Sequence, residues 1–346
     1  MTNMFVLFGA TGDIHKKKIY PSLLRLYETK VDYHVIGVSR RDMSIKMYHD
    51  IVKESLEKNR LMYNQNFFNQ IDFTSGSYDS IDLYVKLYDK IMFLNEKTKI
   101  NKIIIYCGVP EFVITDIMNG LQIINIENKF DINILVEKPF LGNNLEYHKL
   151  SHYIRIIDHY LGKSSIKYLN NLEKENFYRD LTKVEIIIYE KYDVEDRLSY
   201  FDDVGLLKDM FQSHIISILS KLTNTKLDLL DYSILDLSEW GQYENYGGKS
   251  DTDTYFKLII LWKHILFEIK SGKKMVNNKR SIIYHINSDI MIEYPIITSN
   301  NEYQVIFNAV INNEDDIFLD NSTNSYYWKI TDRILQTMGG IKKHIY

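Results

Sequence analysis

A short apolar run followed directly by a glycine-rich turn opens this sequence and restricts its fold more than any other feature. Phe5-Val6-Leu7-Phe8 has the continuous apolar pattern of a strand buried on both faces of a parallel sheet. Gly9-Ala10-Thr11-Gly12-Asp13 follows, and apolar residues then recur at helical spacing from Ile19 to Tyr27. Glycines at a strand-to-helix turn let a phosphate approach the free N–H groups at the positive end of the helix. The turn therefore predicts a nucleotide site, although a GxxG pattern by itself fits a plain tight turn equally well.

The second predicted strand, Val35-Ile36-Gly37-Val38, ends in basic residues at the place where such folds select their cofactor. Arg40 follows it, and its planar guanidinium can neutralise the 2′-phosphate of NADP. Asp42 comes shortly afterwards and could instead accept a hydrogen bond from the free 2′-hydroxyl of NAD. We predict NADP binding through Arg40, with NAD as the alternative cofactor.

Two further buried strands, separated by helix-like segments, extend the pattern to a doubly wound parallel sheet. They lie at residues 102–106 and 132–136, and strand alternating with helix is typical of a Rossmann-like domain. The second strand runs into Glu137-Lys138-Pro139-Phe140. Ligands of such sheets bind at the carboxyl ends of the strands, so we predict that Lys138 contacts both the cofactor and a sugar hydroxyl. An exposed lysine in a surface ion pair is the alternative interpretation.

Residues 158–163 concentrate polar chemistry where the two predicted domains join. Asp158, His159, Tyr160 and Lys163 supply a carboxylate, an imidazole, a phenol and an ammonium within six positions. They follow an apolar-periodic segment, so a solvated helix end explains them as well as a site does, because the helix dipole favours His and Lys at its C-terminus. The cluster by itself does not decide between these two interpretations.

After this cluster the pattern changes to an α+β arrangement. A strand is predicted at 184–190 and a long amphipathic helix at 201–222, where Asp209 and His214 lie five residues apart. A histidine on an apolar stripe is more often a core residue than a catalytic one. A polar linker is predicted over 223–250. Later strands are predicted at 254–262, 265–269, 281–286 and 289–294, and later helices at 303–311 and 326–338.

Length and composition limit the class of protein. A chain of 346 residues favours two domains, since single cores stop growing at roughly 250–300 residues. We expect an NADP-binding, Rossmann-like domain over 1–160 and an α+β substrate-binding and catalytic domain with a mainly antiparallel sheet over 161–346. A net charge of −4 argues against nucleic-acid or membrane partners. The single cysteine, Cys107, and the absence of an apolar leader favour the cytoplasm, and no metal site is expected.

The order and wording of these motifs resemble the glucose-6-phosphate dehydrogenase family over nearly the whole chain. Residues 9–21 are similar to the family's opening GxxGDLxxRKLxPxL pattern, and 137–140 and 157–163 to its EKPFG and RIDHYLGK elements. Residues 200–214 resemble its YYDxxGALRDMxQNH helix. Later similarities are to GQY at 241–243, TET at 250–254, RTGK at 270–273 and WxxVDPIL at 328–335.

The resemblance implies oxidation of D-glucose 6-phosphate at C1 to 6-phospho-D-glucono-1,5-lactone with hydride transfer to NADP, the reaction that opens the pentose phosphate pathway. The C1 hydroxyl loses a proton as hydride leaves, and an imidazole suits this general-base role. His214 matches the family's base and Asp158 the carboxylate that orients it. The implied substrate-binding residues are His159, Tyr160, Lys163 and Lys273 for the phosphate, Glu190 and Asp209 for sugar hydroxyls, and Lys138 between sugar and cofactor. The implied cofactor-binding residues are Gly9, Thr11, Gly12, Asp13, Arg40 and Lys138.

The chain also departs from the family pattern. It is shorter than typical members, and the missing length is expected to be internal, between Lys163 and Glu190 and between Lys273 and Tyr303. In the family, that half supplies much of the contact between subunits. The oligomeric state of this chain therefore stays open, and a homo-oligomer is one of the states we consider. Ser213 stands where the family has asparagine, Lys208 where it has arginine, and Leu141 where it has glycine after the EKPF element. Two alternatives remain: an NAD(P)-dependent dehydrogenase of another sugar or sugar phosphate, and an inactive nucleotide-binding homologue.

Overall fold

The computed structural model describes residues 2–140, 148–194, 197–224, 232–287, 289–297 and 301–346. The chain divides into two compact units, the first comprising 1–157 with 300–321 and the second comprising 158–299 with 322–346. The boundary expected at residue 160 therefore lies between Ile157 and Asp158. We expected one boundary along the chain, so the return of residues 300–321 to the first unit was not predicted.

Strands and helices alternate along the first half of the chain, and strands dominate the second half. The strands are β1 Thr2–Phe8, β2 Tyr33–Ser39, β3 Ile71–Ser75, β4 Ile100–Cys107, β5 Asp131–Glu137, β6 Ile154–Ile157, β7 Leu181–Tyr189, β8 Tyr232–Gln242, β9 Tyr255–Trp262, β10 Ile265–Gly272, β11 Lys279–Ile286, β12 Ile290–Pro295, β13 Phe318–Leu319 and β14 His344–Ile345. The α-helices are α1 Tyr20–Glu28, α2 Ile45–Lys58, α3 Gln65–Phe68, α4 Ile81–Thr98, α5 Glu111–Ile123, α6 Ser164–Lys167, α7 Leu198–Leu206, α8 Ile216–Thr223, α9 Glu302–Asn312 and α10 Asn321–Met338. Two π-helical segments, His15–Ile19 and Leu207–Ile215, precede α1 and α8, and short 3-10 turns lie at Ile126–Asn128, Ser151–Tyr153, Leu172–Lys174 and Tyr178–Asp180.

A parallel sheet forms the centre of the first unit. Within the described ranges it has seven strands in the order β13-β6-β5-β4-β1-β2-β3, and all neighbours are parallel except the short β13 against β6. Every residue of β1 is buried, as its unbroken apolar run predicted. The strand order reverses at β1, between β4 and β2, and such switch points bind ligands at their carboxyl ends. The Rossmann-like, doubly wound prediction is confirmed.

The returning segment is fastened to the first unit by a buried ammonium group. Lys102, at the start of β4, is 1% exposed, and its Nζ donates to the Val310 carbonyl oxygen at 2.7 Å and to the Asn313 side-chain oxygen. Lys18 forms a second link, an ion pair of 2.8 Å with Glu302. Both contacts join residues that lie far apart in sequence, so no local pattern could indicate them.

A mainly antiparallel sheet forms the centre of the second unit. Its strands, counted over the described residues, run β12-β11-β7-β10-β9-β8-β14, with parallel pairing only of β7 with β10 and of β8 with β14. Residues of β9 alternate strictly between half-buried and buried, the period of two that one covered face requires. The predicted α+β domain with a mainly antiparallel sheet is confirmed.

One local prediction was wrong, and one alternative interpretation is excluded. The polar linker expected over 223–250 contains β8, because a strand with many polar residues lacks the apolar run by which strands are recognised. The segment before Asp158 ends in β6, a strand of four residues, rather than in a helix. Apolar spacing alone cannot separate so short a buried strand from a helical turn. The polar cluster therefore begins at the end of a strand, and Asp158 is 1% exposed, which rules out a solvated helix end.

The long helix expected over 201–222 is present but interrupted. Gly205 within α7 has φ +69°, and a Cβ at this position would lie 2.2 Å from Oδ1 of Asp253. Glycine is therefore required here, both by its left-handed backbone and by the approach of that carboxylate. The π-helical segment Leu207–Ile215 follows, and it carries Asp209 and His214. Such π segments are rare and concentrate at functional sites.

Candidate active site

The glycine-rich turn after β1 is closed so tightly that Gly9 excludes a side chain and Gly12 leaves little room for one. Gly9 has φ +78°, and a Cβ there would lie 2.3 Å from the Gly108 carbonyl oxygen. Gly12 N donates to the Gly9 carbonyl oxygen at 2.8 Å, and a Cβ on Gly12 would lie 3.0 Å from the same oxygen. The result is a bare backbone cradle at the start of a helical segment, which fits the pyrophosphate of a dinucleotide.

Thr11 and Asp13 belong to the same turn, with Thr11 half-buried and Asp13 exposed. The Asp13 carboxylate lies 3.2 Å from Lys17 Nζ, and both side chains are largely exposed. A solvated pair of this kind contributes little to stability. Both residues therefore lie beside the cradle.

His15 lies directly behind this turn, a position that the sequence patterns did not single out. The side chain is 0% exposed, and a Cβ on Gly108 would lie 2.3 Å from its Cε1 atom. Burial lowers the pKa of His15 to about 3, so the ring is neutral at physiological pH. Neither ring nitrogen has a hydrogen-bond partner among the described residues. The buried imidazole of His15 thus packs against Gly108 and leaves no room for a side chain there.

Two residues after β2, Arg40 and Asp42, could select the cofactor, and their contacts differ. Arg40 is exposed, whereas the Asp42 carboxylate accepts a hydrogen bond of 2.8 Å from Ser75 Oγ at the end of β3. Arg40 is also close enough to Tyr78 for its charge to act there: burial raises the pKa of Tyr78, and the Arg40 guanidinium opposes the rise. Tyr78 in turn accepts a hydrogen bond of 3.0 Å from Gly9 N. Arg40 therefore stands on the same side of the sheet as the turn, with its guanidinium accessible.

Lys138 follows β5 at the same edge of the parallel sheet. Its backbone N–H donates to the Ile157 carbonyl oxygen at 3.4 Å, its side chain is half-buried, and the Lys138–Pro139 peptide bond is cis. Carboxyl ends of parallel strands share one edge, so Lys138 lies on the edge that also carries Gly9 and Arg40. The first unit thus gathers its predicted cofactor residues along one edge.

A buried carboxylate–imidazole pair lies at the centre of the second unit's polar cluster. Asp158 Oδ1 is 2.7 Å from His214 Nδ1, and the two residues are 1% and 9% exposed. Tyr160 N also donates to Asp158 Oδ1, at 3.0 Å. The Tyr160 ring stacks on the imidazole, with centroids 4.3 Å apart and planes 20° apart. His214 is therefore held in one orientation by a hydrogen bond and an aromatic face.

Three of the predicted phosphate ligands, His159, Tyr160 and Lys163, lie next to this pair. The His159 ring meets the His214 ring edge to face, with centroids 4.4 Å apart. Lys163, which is 3% exposed, places Nζ 4.2 Å from the centroid of the Tyr160 ring. Burial raises the pKa of Tyr160, so its phenol remains a hydrogen-bond donor at neutral pH. A cation, a phenol and a second imidazole therefore lie beside His214.

A network of four charges forms the other part of the cluster. Lys273 Nζ lies 2.5 Å from Glu190 Oε2 and 3.6 Å from Asp209 Oδ2. Arg280 Nη2 lies 2.7 Å from the second oxygen of Glu190. Burial raises the pKa of Glu190, but Lys273 and Arg280 outweigh it, and the pKa lies below its usual value. Glu190 is thus an ionised bridge between two cations.

Arg280 was missed by the sequence patterns. It lies on β11, whose antiparallel pairing with β7 sets Arg280 opposite Ile188, close to Glu190 at the end of that strand. Its positive charge also acts on Tyr160. One basic residue in a strand carries no signal by itself, and only the strand register brings it to the cluster.

The helix that carries His214 is capped by Asp253. Leu206 N donates to the Asp253 carbonyl oxygen at 2.9 Å and Leu207 N to its Oδ2 at 2.7 Å. Burial raises the pKa of Asp253 to about 6, against these N–H donors, which favour the ionised form. Two of the three residue departures from the family pattern lie on this helix, where Ser213 Oγ donates to the Lys208 carbonyl oxygen at 3.0 Å, and Leu141 lies outside the described residues. The serine hydroxyl is satisfied locally, so the substitution leaves the helix intact.

Comparison with known proteins identifies the family of this chain. The family model described as "Glucose-6-phosphate dehydrogenase, NAD binding domain" matches residues 6–168, and the one described as "Glucose-6-phosphate dehydrogenase, C-terminal domain" matches residues 165–230. Together the two matches span well over half of the chain. The chain belongs to the glucose-6-phosphate dehydrogenase family. The first match supports a nicotinamide dinucleotide as the cofactor of the first unit.

Relatives within the glucose-6-phosphate dehydrogenase family show how much of the chain is shared. Glucose-6-phosphate 1-dehydrogenase of Buchnera aphidicola subsp. Schizaphis graminum is 31% identical over 245 residues, which cover 64% of this chain and 49% of that protein. The Helicobacter pylori (strain J99) protein of the same name is 27% identical over 335 residues, covering 84% and 77% respectively. This chain therefore matches only about half of the Buchnera protein's length.

The fold is similar to that of a solved family structure over its full length. A glucose-6-phosphate dehydrogenase in complex with its substrate glucose 6-phosphate superposes with a TM-score of 0.83 at 19% identity, covering 100% of this chain and 94% of that one. At this identity the similarity establishes the fold.

No helix in the described part of the chain is long and apolar enough to cross a membrane. The described residues also contain no group of three His, Cys, Asp or Glu side chains arranged to hold a metal ion.

Proposed function

We propose that this chain oxidises D-glucose 6-phosphate at C1 to 6-phospho-D-glucono-1,5-lactone, with NADP as the hydride acceptor. The observation that carries the proposal is the buried contact of 2.7 Å between Asp158 and His214, beside the Tyr160 ring that also contacts the Lys163 ammonium. Membership of the family and the family's RIDHYLGK-like cluster support the same reaction. The proposal also places the reaction at the start of the pentose phosphate pathway.

His214 is proposed as the general base. With Nδ1–H donating to the Asp158 carboxyl group, the imidazole is fixed in the tautomer whose Nε2 lone pair faces the proton of the C1 hydroxyl. The carboxylate then stabilises the imidazolium that forms. A base positioned in this way contributes about 10²–10⁴ in rate.

The charged residues of the second unit are proposed to bind the substrate. A phosphate dianion is held best by charge-assisted hydrogen bonds, which His159, Tyr160 and Lys163 supply beside the base. Lys273 and Arg280 add positive charge from the neighbouring network. Glu190 and Asp209 are proposed to accept hydrogen bonds from sugar hydroxyls, since both carboxylates are partly exposed. Substrate binding would then exchange part of the internal ion-pair network for contacts with the sugar phosphate.

The first unit is proposed to bind the dinucleotide. Gly9, Thr11, Gly12 and Asp13 form the cradle for the pyrophosphate, and the accessible guanidinium of Arg40 suits a 2′-phosphate. Lys138 is proposed to contact both the cofactor and the substrate. When bound, the nicotinamide supplies the acceptor for the C1 hydride.

Two broader predictions accompany this function. A reducing compartment such as the cytoplasm suits a chain whose single thiol, Cys107, is buried and has a pKa raised by burial to about 12. A homo-oligomer remains a prediction, which size-exclusion chromatography with light scattering would check.

The decisive experiment follows NADPH formation by its near-ultraviolet absorbance with glucose 6-phosphate and NADP. We expect turnover by the purified chain, and loss of about 10²–10⁴ in kcat for His214→Ala. The exposed residue His152 provides the matched control, since His152→Ala should leave kcat unchanged. A folded protein without turnover would contradict the enzyme proposal and leave an inactive homologue. Faster turnover of unphosphorylated glucose than of glucose 6-phosphate would instead indicate a dehydrogenase of another sugar.

A further inference from the structure

Tyr346 places its hydroxyl between two backbone carbonyl groups of the second unit. The hydroxyl oxygen lies 2.8 Å from the Thr254 carbonyl oxygen and 2.9 Å from that of Lys273. Thr254 Oγ1 is 3.0 Å away and can donate to the phenol oxygen. A phenol has one hydrogen to donate, so it serves the two carbonyl groups in alternation. The hydroxyl therefore joins the residue directly before β9 to the residue directly after β10.

The backbone holds Tyr346 in place independently of this hydroxyl. Tyr346 N donates to the Gln242 carbonyl oxygen at 3.2 Å, and Glu244 N donates to the Tyr346 carbonyl oxygen at 2.7 Å. The ring also packs edge to face on Tyr255, with centroids 5.7 Å apart. Replacing the phenol with phenylalanine would consequently remove the hydroxyl contacts and leave the strand pairing intact.

Both segments that the hydroxyl joins lead into the candidate active site. Lys273 N donates to the Thr254 carbonyl oxygen at 2.9 Å, and the Lys273 ammonium is the group that faces Glu190 and Asp209. The residue before Thr254 is Asp253, which caps the helix carrying His214. A shift of the backbone at Lys273 would move its ammonium relative to both carboxylates.

We propose that Tyr346 is a positioning residue for substrate binding, which fixes the backbone of Lys273 against Thr254 and thereby sets the place of the Lys273 ammonium. This inference rests on the proposed function, because it assigns the ammonium a role toward the sugar phosphate. Its first consequence is kinetic: the hydroxyl should matter to the binding of glucose 6-phosphate and not to that of the cofactor. Its second is that the effect requires the Lys273 side chain.

A double-mutant cycle of Tyr346→Phe and Lys273→Met tests the proposal. We expect Tyr346→Phe to raise KM for glucose 6-phosphate about 3- to 10-fold, the effect of losing one neutral hydrogen bond, with kcat and the KM for NADP changed less than about twofold. In the Lys273→Met background the same substitution should change kcat/KM by less than about twofold, because the two residues act through one group. Equal effects in both backgrounds, or an unchanged KM, would overturn the proposal.

The control is Tyr33→Phe, which removes a buried hydroxyl that donates to the Leu23 carbonyl oxygen at 2.5 Å in the first unit. It should leave the KM for glucose 6-phosphate unchanged, whereas a general loosening of the fold would raise the KM in both variants.

Amide hydrogen exchange separates this inference from the proposed function. Exchange of the peptide that contains Lys273 should accelerate several-fold in Tyr346→Phe, whatever the activity of the chain. A wild-type chain without turnover but with this acceleration would overturn the proposed function and retain the positioning of Lys273. Turnover by the wild type with no acceleration in the variant would overturn the inference alone.

Discussion

Asp158 and His214 are 56 positions apart in sequence and 2.7 Å apart in the second unit. Asp158 lies directly after β6, and His214 lies on the π-helical segment that Asp253 caps. The contact joins a strand end to a helix, and it depends on the rigid anchoring of both. Because the carboxylate is buried, its hydrogen bond selects one tautomer of the imidazole, which is what a general base at this position requires.

Asp158→Asn should lower kcat by about 10²–10⁴, because an amide no longer fixes the tautomer or stabilises the imidazolium. The KM for glucose 6-phosphate should change much less. Asp315→Asn is the matched control, since it neutralises a carboxylate in an exposed pair with Arg155 at 3.3 Å. Steady-state kinetics on both variants check the prediction, and wild-type kcat in Asp158→Asn would refute the assigned role.

Arg280→Gln should raise the KM for glucose 6-phosphate by about 10- to 100-fold, the range expected for one hydrogen bond to a charged group. The substitution removes a cation near Tyr160 and releases one oxygen of Glu190. Lys279→Gln is the control on the same strand, because Lys279 pairs with Glu293 at 3.3 Å on the adjacent edge strand and both are exposed. A similar rise in KM for the two variants would point to general loss of positive charge rather than to Arg280.

Arg40→Ala should raise the KM for NADP by about 10- to 100-fold and leave that for NAD nearly unchanged, since one charge-assisted contact with the 2′-phosphate is lost. Arg41→Ala is the neighbouring control. Asp42→Asn should leave the ratio of NADP to NAD turnover unchanged, because the Asp42 carboxylate is engaged by Ser75. A chain that prefers NAD, and loses that preference in Asp42→Asn, would reverse the assignment.

His15 should make the first unit less stable as the pH falls. Its pKa is about 3 in the folded chain, compared with 6.5 for an unperturbed histidine. Between these values the unfolded chain binds a proton that the folded chain does not, so the free energy of unfolding declines as the pH falls through this window. By the linkage relation, the free energy of unfolding falls by a few kcal/mol at most.

His15→Leu removes this titration and should flatten that part of the pH dependence, as measured by urea unfolding between pH 7.5 and pH 5. The exposed residue His152 supplies the control, and His152→Leu should retain the wild-type slope. An unchanged slope in His15→Leu would show that His15 binds a proton as readily in the folded chain as in the unfolded chain, and would contradict the prediction.

The nucleotide-binding half followed from local sequence because its elements carry strong local signals. The apolar run of β1, the glycines at positions 9 and 12 and the run of β5 each specify a buried strand or a turn without reference to distant residues. Gly9 marked such a turn in the sequence, and the structure gives the reason: only glycine tolerates its φ and the approach of Gly108.

The candidate site was foreseen where motifs are contiguous and missed where it depends on strand register. Asp158, His159, Tyr160 and Lys163 lie together in sequence, and the family resemblance linked them to His214. Arg280 comes close to Glu190, and the Tyr346 hydroxyl to the Lys273 backbone, only through the pairing of β11 with β7 and of β14 with β8. Strand β8 was mistaken for a linker because its polar residues hide the alternation on which recognition depends.

By itself the sequence determined the two-part architecture, the glycine turn and the chemical groups available for catalysis, because these depend on side-chain type and short-range spacing. Only the tertiary structure decided that residues 300–321 return to the first unit, that Glu190 bridges Lys273 and Arg280, and that Asp158 meets His214 in a buried contact. Such contacts depend on which distant segments pack together. That choice is made by the burial of whole faces of sheets and helices, which no short stretch of sequence specifies.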